Sequence, residues 1–229
     1  RLDIIDNLSE NVKEDLSQDL ENPTARQIIY YGAPGTGKSH KIKEILGEYE
    51  GCPEDKKVPK SNIFRTTFHP DSDYSTFVGA YKPTKGKKPL YGLNGGLTVR
   101  LNDGKDDLEE DIITYNFIPQ AFLNAYIRAY KTDENVYLII EEINRGNCAQ
   151  IFGDLFQLLD RDRTGKSEYT IKADADLKTF LENELGEGSE AIKDGELCLP
   201  PNLYIYATMN TSDQSLFPID SAFKRRWDW

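Results

Sequence analysis

The chain has 229 residues, of which 38% are hydrophobic and 29% are charged, a balance that excludes a wholly disordered protein and suits one large α/β domain. No run of the sequence approaches the roughly 18 apolar residues of a membrane-spanning helix, so we expect no membrane partner. The 28 basic and 39 acidic residues give a net charge of −11, which argues against non-specific coating of nucleic acid.

The three cysteines, Cys52, Cys148 and Cys198, are scattered along the chain and lack the spacing of metal ligands. Free thiols in a reducing cytosol are the simplest interpretation, so we expect a cytoplasmic protein. The sequence starts at Arg1, without a methionine or a signal-like apolar segment, which indicates a piece of a longer protein.

The first predicted element is a lead-in helix over residues 1–22, where leucine and valine recur at helical spacing before Pro23. We assign residues 23–229 to one nucleotide-binding core. Apolar or alternating stretches predict strands at residues 27–31, 61–68, 136–140 and 203–207. Helical patterns follow at residues 38–47, 119–130, 148–159 and 176–185. Strands that alternate with helices predict an α/β fold, with a mainly parallel sheet covered by helices on both faces.

Two inserts interrupt this pattern. Residues 82–111 predict an exposed hairpin with turns at Asn94-Gly95-Gly96 and Asn102-Asp103-Gly104. Its lysines 85, 87 and 88, with Arg100, could form a pore-facing loop that grips DNA or a partner. We favour a solvated loop, because charge runs usually lie on exposed faces. A second, polar insert spans residues 161–196.

The strongest functional motif follows the first predicted strand. Gly32-Ala33-Pro34-Gly35-Thr36-Gly37-Lys38-Ser39 fits the P-loop pattern in full and leads into a helix. Its glycines let consecutive backbone N–H groups converge on phosphate oxygens, toward which the helix N-terminus also points. We expect Lys38 to reach the β- and γ-phosphates and the Ser39 hydroxyl to ligate Mg²⁺.

Two carboxylates end the predicted strand at residues 136–140. We assign Glu141 to the Mg²⁺ shell and Glu142 to the attacking water, since a hydrolysing P-loop enzyme needs one acid for each task. Asn210, after another strand, suits a polar sensor between the γ-phosphate and the water, although an Asn that caps a turn is the alternative. We expect Arg225 or Arg226 to contact the γ-phosphate bound by a neighbouring subunit. The alternative is that both arginines lie on a solvated helix face.

With these motifs the chain resembles AAA+ ATPases, and more narrowly the McrB-type GTPase motor subunits of McrBC-type modification-dependent restriction systems. The likeness extends over residues 28–227. Beyond the P-loop, it is carried by four further stretches: Phe68-His69-Pro70 with Tyr74, Phe77, Gly79 and Tyr81-Lys82-Pro83; Glu141-Glu142-Ile143-Asn144-Arg145-Gly146-Asn147; Met209-Asn210-Thr211-Ser212-Asp213-Gln214-Ser215-Leu216; and Asp220-Ser221-Ala222-Phe223-Lys224-Arg225-Arg226-Trp227.

The resemblance implies an AAA+ αβα sandwich, with Asn144 and Arg145 near the nucleotide or the adjacent subunit and an arginine finger acting in trans at Arg225 or Arg226. It also implies a homo-oligomeric ring, a hexamer, that uses GTP. A nuclease-carrying McrC-like subunit would stimulate this ring, and DNA would be reached indirectly through other domains. The chain stops at Trp229, before the family's small helical lid, so we expect a truncated lid and a monomer for this piece.

Several alternatives stay open. Glu141 replaces the usual Asp, and Ser212 replaces the commoner Ala of the family signature. The first departure favours a scaffold that binds nucleotide but hydrolyses it poorly. An AAA+ ATPase that remodels proteins, with no DNA role, is the other alternative, because P-loop contacts to phosphate do not select GTP over ATP. Tyr30 and Tyr31 could flank the base, although buried strand tyrosines are the plainer interpretation. We assign no catalysis to His69.

Overall fold

The computed structural model describes residues 25–89, 109–212 and 217–229. The predicted lead-in helix at residues 1–22, both predicted turns of the first insert, Arg100 and Asp213 lie outside the described residues.

Elements are numbered along the described chain. The strands are β1 (Gln27–Gly32), β2 (Ile63–Thr67), β3 (Gly79–Pro89), β4 (Glu109–Pro119), β5 (Val136–Glu141), β6 (Ile171–Lys172), β7 (Glu196–Leu197) and β8 (Leu203–Asn210). The α-helices are α1 (Lys38–Ile45), α2 (Tyr74–Phe77), α3 (Ala121–Tyr130), α4 (Cys148–Phe152), α5 (Ala175–Leu185) and α6 (Ser221–Lys224). The 3-10 helices are Glu54–Lys56, Lys60–Asn62, Ile143–Arg145, Gly153–Leu159 and Glu190–Gly195.

The central sheet contains the four strands that the sequence predicts. They are all parallel and lie in the order β1–β8–β5–β2. Consecutive strands of the chain are therefore not always neighbours, since β8 enters between β1 and β5. This order brings the carboxyl ends of β1, β8 and β5 side by side at one edge of the sheet.

Both faces of the sheet are covered, as the alternating side chains of β5 show. Leu138 and Ile140 belong to the larger core, which contains buried residues of α3, α4 and α5. Tyr137 and Ile139 point to the other face and pack with Ile42 of α1. An apolar run with burial on both faces is typical of a parallel sheet between two helical layers. The predicted αβα sandwich is confirmed.

The first insert forms a two-stranded antiparallel ribbon, in which β3 pairs with β4 over eleven residues each. The pairing of its arms agrees with a hairpin, but the ribbon starts at Gly79 and continues to Pro119, beyond the predicted bounds of residues 82–111. Lys85 pairs with Asp111 at 2.8 Å, and Lys87 pairs with Glu109 at 3.0 Å, all four side chains being largely exposed. These cross-strand ion pairs agree with a solvated ribbon, because acidic partners already balance two of the lysines.

The prediction of one helix over residues 148–159 is wrong in its second half. Asn147 caps the start of α4 by accepting a hydrogen bond from the Gln150 N–H. Gly153 then adopts φ 50° and ψ −132°, which ends the α-helix at Phe152. The chain continues as the 3-10 helix Gly153–Leu159, because glycine tolerates a positive φ that breaks the helical repeat.

The second insert contributes to the core. Leu177 and Leu181 of α5 are buried in the same cluster as Leu138 of the central sheet. The last residues of the chain add to the edge of β1, where the Ile29 N–H donates to the Asp228 carbonyl at 2.8 Å. Among the residues that the structure describes, no helix is long and apolar enough to cross a membrane.

Candidate nucleotide site

The P-loop lies between β1 and α1, as predicted. Gly35 and Gly37 have φ values of 78° and 81°, so the loop requires glycine at these turns. The Thr36 hydroxyl donates to the Ala33 carbonyl at 2.8 Å and holds the loop curled. The Lys38 ammonium donates to the carbonyls of Gly32 and Ala33 at 3.1 and 2.8 Å, which places a positive charge over the loop at the N-terminus of α1.

The loop meets the predicted acids at the carboxyl end of β5. The Ser39 hydroxyl donates to Glu141 Oε2 at 3.0 Å, across 102 residues of sequence. Glu141 Oε1 lies 3.7 Å from Arg65 Nη1, and Arg65 also pairs with Glu48. The two residues predicted to bind a metal are thus in direct contact.

This donor set fits Mg²⁺. The ion prefers oxygen ligands and usually takes only one or two from the protein, with the rest from water and substrate phosphates. A hydroxyl and a carboxylate beside a phosphate-binding loop meet this requirement. Within the described part of the chain there is no cluster of three His, Cys, Asp or Glu side chains that would hold a metal alone.

Glu142 turns away from the strand in an unusual backbone conformation. Its φ of 56° is left-handed, which is rare for a residue with a side chain. The Asn210 amide nitrogen lies 2.6 Å from both Glu142 carboxylate oxygens, and Arg145 Nε lies 3.8 Å from Oε2. The structure therefore brings the predicted water-activating acid, the sensor amide and Arg145 together.

Asn144 lies behind this group, and not at its surface. It is 4% exposed, and its side-chain nitrogen donates to the Asn210 carbonyl at 2.7 Å. Its backbone carbonyl also accepts a hydrogen bond from the Phe217 N–H at 2.9 Å. Asn144 therefore holds the end of β8 from within the core, and its expected place near the nucleotide or the adjacent subunit stays a prediction.

Arg225 and Arg226, near the end of the chain, differ in how far their side chains are exposed to solvent. The Arg226 guanidinium is 7% exposed, donates to Asp160 at 2.6 Å and stacks over the Phe156 ring at 3.9 Å. Arg225, by contrast, is exposed. The structure thus presents the Arg225 side chain to solvent and holds the Arg226 side chain against the core of its own chain.

Sequence reasoning missed Thr208. This buried threonine of β8 donates to Glu141 Oε2 at 2.6 Å and accepts from the Glu142 N–H at 3.1 Å. A signal for it was present, since Thr208 and Asn210 are two residues apart and therefore share one face of β8. Arg65 was missed as well, because its link to Glu141 depends on the pairing of β2 with β5.

A cavity of about 890 Å³ opens beside the P-loop. Its lining includes Tyr31, Gly37, His40, Glu44 and Trp229. Tyr31 and Trp229 are 56% and 44% exposed and meet edge to face, with ring centroids 5.6 Å apart. Tyr30 is different, because it is half-buried against Tyr206 and burial raises its pKa. Both tyrosines line the cavity, and Tyr31 presents the more exposed ring.

A phosphate-binding loop at the end of β1, with two acids and a polar amide at the ends of neighbouring parallel strands, defines a P-loop nucleoside triphosphatase. The AAA domain family, dynein-related subfamily, matches residues 27–227, and the chain belongs to this family.

Two curated proteins are similar along most of the chain. The component YdiS of the type II restriction enzyme BsuMI, from Bacillus subtilis strain 168, is 41% identical over 209 residues. The match covers 89% of this chain and 56% of that protein. The EcoKMcrB subunit of a type IV methyl-directed restriction enzyme, from Escherichia coli K12, is 27% identical over 204 residues, covering 89% of this chain and 34% of that protein. The chain thus spans about half and a third of these relatives, and it is an AAA+ protein that resembles McrB.

Proposed function

We propose that this chain is the Mg²⁺-dependent motor domain of a McrBC-like, modification-dependent DNA restriction complex, with GTP as the favoured substrate. The observation that carries the proposal is the contact of Ser39 with Glu141, next to the Glu142–Asn210 pair. These contacts support the assignment of Ser39 and Glu141 to Mg²⁺ and of Glu142 to the attacking water, at the mouth of one phosphate-binding loop.

The P-loop, Gly32 to Ser39, binds the triphosphate. Backbone N–H groups of the loop and the N-terminus of α1 bind phosphate oxygens, and the Lys38 ammonium leaves its two loop carbonyls to reach the β- and γ-phosphates. Ser39 and Glu141 hold Mg²⁺, which when bound neutralises charge that develops on the phosphates.

Glu142 acts as the general base for the attacking water. Its carboxylate is oriented by Asn210 on one side and approached by Arg145 on the other. Asn210 has two amide hydrogens, so it can orient Glu142 and still report on the γ-phosphate. The contact between Glu142 and Asn210 argues against a scaffold that only binds nucleotide, since the acid and its orienting amide are already together.

Arg225 is the arginine that we propose for action in trans. An exposed guanidinium is free to reach a neighbour's γ-phosphate in a hexameric ring, where it would stabilise transition-state charge. Arg226 supports it from behind, because its ion pair with Asp160 anchors the end of α6 to the core. The ring and the McrC-like nuclease subunit remain part of the proposal.

The restriction role is supported by the names of the two relatives, both components of restriction enzymes. The net charge of −11 suits a motor that contacts DNA indirectly, through other domains. Three free, buried thiols support a reducing, cytoplasmic location. The assignment of residues 23–229 to one nucleotide-binding core is part of the same proposal.

The experiment that tests the function compares GTP and ATP, each with Mg²⁺, in binding and phosphate release. Selective GTP binding with release that Glu142→Gln abolishes is the expected result. Preference for ATP would replace the restriction motor by an ATPase that remodels proteins. Equal, near-zero release by wild type and Glu142→Gln, with binding retained, would indicate a scaffold.

A further inference from the structure

The side chain of Thr208 contacts both acids of the site. It lies on β8, is 2% exposed, and is two residues from Asn210. Its hydroxyl oxygen is 2.6 Å from Glu141 Oε2 and 3.1 Å from the Glu142 backbone nitrogen.

The direction of these two hydrogen bonds follows from their partners. The Glu142 N–H can only donate, so the threonine oxygen must accept there. A hydroxyl has a single hydrogen, and this hydrogen is therefore directed at the Glu141 carboxylate. Glu141 Oε2 thus accepts from two hydroxyls, those of Thr208 and Ser39. The carboxylate is turned toward the P-loop by a neighbouring strand.

The same hydroxyl anchors the turn that displays Glu142. That residue has a φ of 56°, a conformation that an L-amino acid adopts only when its surroundings hold it. The backbone bond from Glu142 to Thr208 is one such restraint. Asn210, on the same face of β8, holds the Glu142 side chain. One face of β8 therefore orients both acids at once.

We propose that Thr208 is a positioning residue that orients Glu141 for Mg²⁺ and fixes the Glu142 turn, so that metal binding and water activation depend on one buried hydroxyl. The inference rests on the proposed function of the site. Outer groups that orient metal ligands typically change metal affinity or activity by about 10- to 100-fold when they are removed.

The test uses Thr208→Val, which keeps the shape of the side chain and removes the hydroxyl, and Thr208→Ser, which keeps the hydroxyl. A fluorescent GTP analogue is titrated onto the full chain, first in EDTA and then at increasing Mg²⁺. We expect Thr208→Val to raise the half-saturating Mg²⁺ concentration by about tenfold or more, with metal-free binding unchanged. Thr208→Ser should restore the wild-type Mg²⁺ dependence.

Two further variants keep the result interpretable. Thr66→Val removes a hydroxyl from a half-buried position on β2 and should leave the Mg²⁺ dependence unchanged. If Thr208→Val does not fold, as judged by thermal unfolding, Thr208→Ala is used for the same titration. An equal loss of binding with and without Mg²⁺ would mean a merely structural role and would overturn the inference.

The outcomes separate this inference from the proposed function. Wild-type protein that binds and hydrolyses nucleotide, with unchanged Mg²⁺ dependence in Thr208→Val, would refute the role of Thr208 alone. Wild-type protein that binds no Mg²⁺–nucleotide would refute both. A shift in Mg²⁺ dependence that appears in Thr208→Val and is absent in Thr208→Ser supports the proposal even if hydrolysis is slow.

Discussion

The side-chain nitrogen of Asn210 lies 2.6 Å from each carboxylate oxygen of Glu142. The two residues are 68 positions apart in sequence and meet because β8 is the neighbour of β5 in the sheet. A single amide thus spans the carboxylate and fixes its plane. The pair forms one hydrogen-bonded unit at the ends of two strands. Substitutions at the site can therefore test which residues bind nucleotide and which hydrolyse it.

Replacing Glu142 by Gln should separate binding from hydrolysis. Glutamine keeps the size of the side chain and a contact with Asn210 but cannot accept a proton from water. General base catalysis contributes about 10²- to 10⁴-fold, so we expect phosphate release to fall by that factor while nucleotide affinity stays near wild type. Glu187→Gln, at an exposed position after α5, is the control. Unchanged release in Glu142→Gln would remove Glu142 from the mechanism.

Lys38→Ala should weaken binding of Mg²⁺–nucleotide, because the ammonium is the charged donor of the P-loop. Hydrogen bonds to charged groups contribute about 1.5–3 kcal/mol, which corresponds to roughly a 10- to 150-fold loss of affinity. Isothermal titration measures it. Lys43→Ala, exposed on the same helix α1 and outside the cavity lining, is the matched control. Equal affinity of Lys38→Ala and wild type would contradict the phosphate-binding role of the loop.

The two arginines at the end of α6 should respond to alanine in opposite ways. Arg226→Ala leaves Asp160 without its guanidinium partner, which for a largely buried pair costs about 3 kcal/mol. At this chain length we expect the melting temperature to fall by roughly 6–12 °C. Arg225→Ala should keep its melting temperature but lose hydrolysis in the assembled protein.

Mixing subunits tests the action of Arg225 in trans. Arg225→Ala protein combined with Glu142→Gln protein should recover part of the activity, since some interfaces then contain both an intact acid and an intact arginine. Absence of any recovery, in a mixture shown to assemble, would place Arg225 outside the site of its neighbour.

Trp229 should report on the base of the nucleotide. The chain has two tryptophans, and Trp227 is 4% exposed, so Trp227→Phe leaves Trp229 as the accessible reporter beside Tyr31. We expect GTP to quench its fluorescence. Stacking on an aromatic side chain is worth about 1–3 kcal/mol by alanine substitution, so Tyr31→Ala should weaken binding by roughly 5- to 150-fold. Tyr169→Ala, exposed and outside the cavity lining, should have no effect.

Cys148 should resist alkylation in the folded protein. Burial raises the pKa of its thiol to about 12, so the reactive thiolate is scarce at pH 8. The folded state holds this proton more tightly than the unfolded state. The resulting stabilisation is complete below the unfolded pKa of about 8.5 and is lost as the pH rises through it toward 12. Peptide mapping after iodoacetamide treatment, with guanidinium-unfolded protein as the control, measures the protection; rapid native labelling would contradict it.

Much of this protein is determined by local sequence. The P-loop is read directly from Gly32 to Ser39, because a phosphate-binding turn depends on glycine conformations and on the helix that follows. The β5 strand and its two acids are also predicted from local sequence, because a short continuous apolar run is typical of a strand that is buried on both faces. The sequence alone therefore predicts where the nucleotide site lies and which class of chemistry it performs, without knowledge of any tertiary contact.

Only the tertiary structure decides which distant side chains complete the site. Thr208 reaches Glu141 because β8 enters the sheet between β1 and β5, an order that no local pattern encodes. Arg225 and Arg226 are neighbours with the same charge, and they differ because Asp160 and Phe156, more than 60 residues earlier, bury one of them. Propensity and periodicity depend on nearest neighbours along the chain, whereas orientation of a charged group depends on the partners that folding brings within a few ångströms.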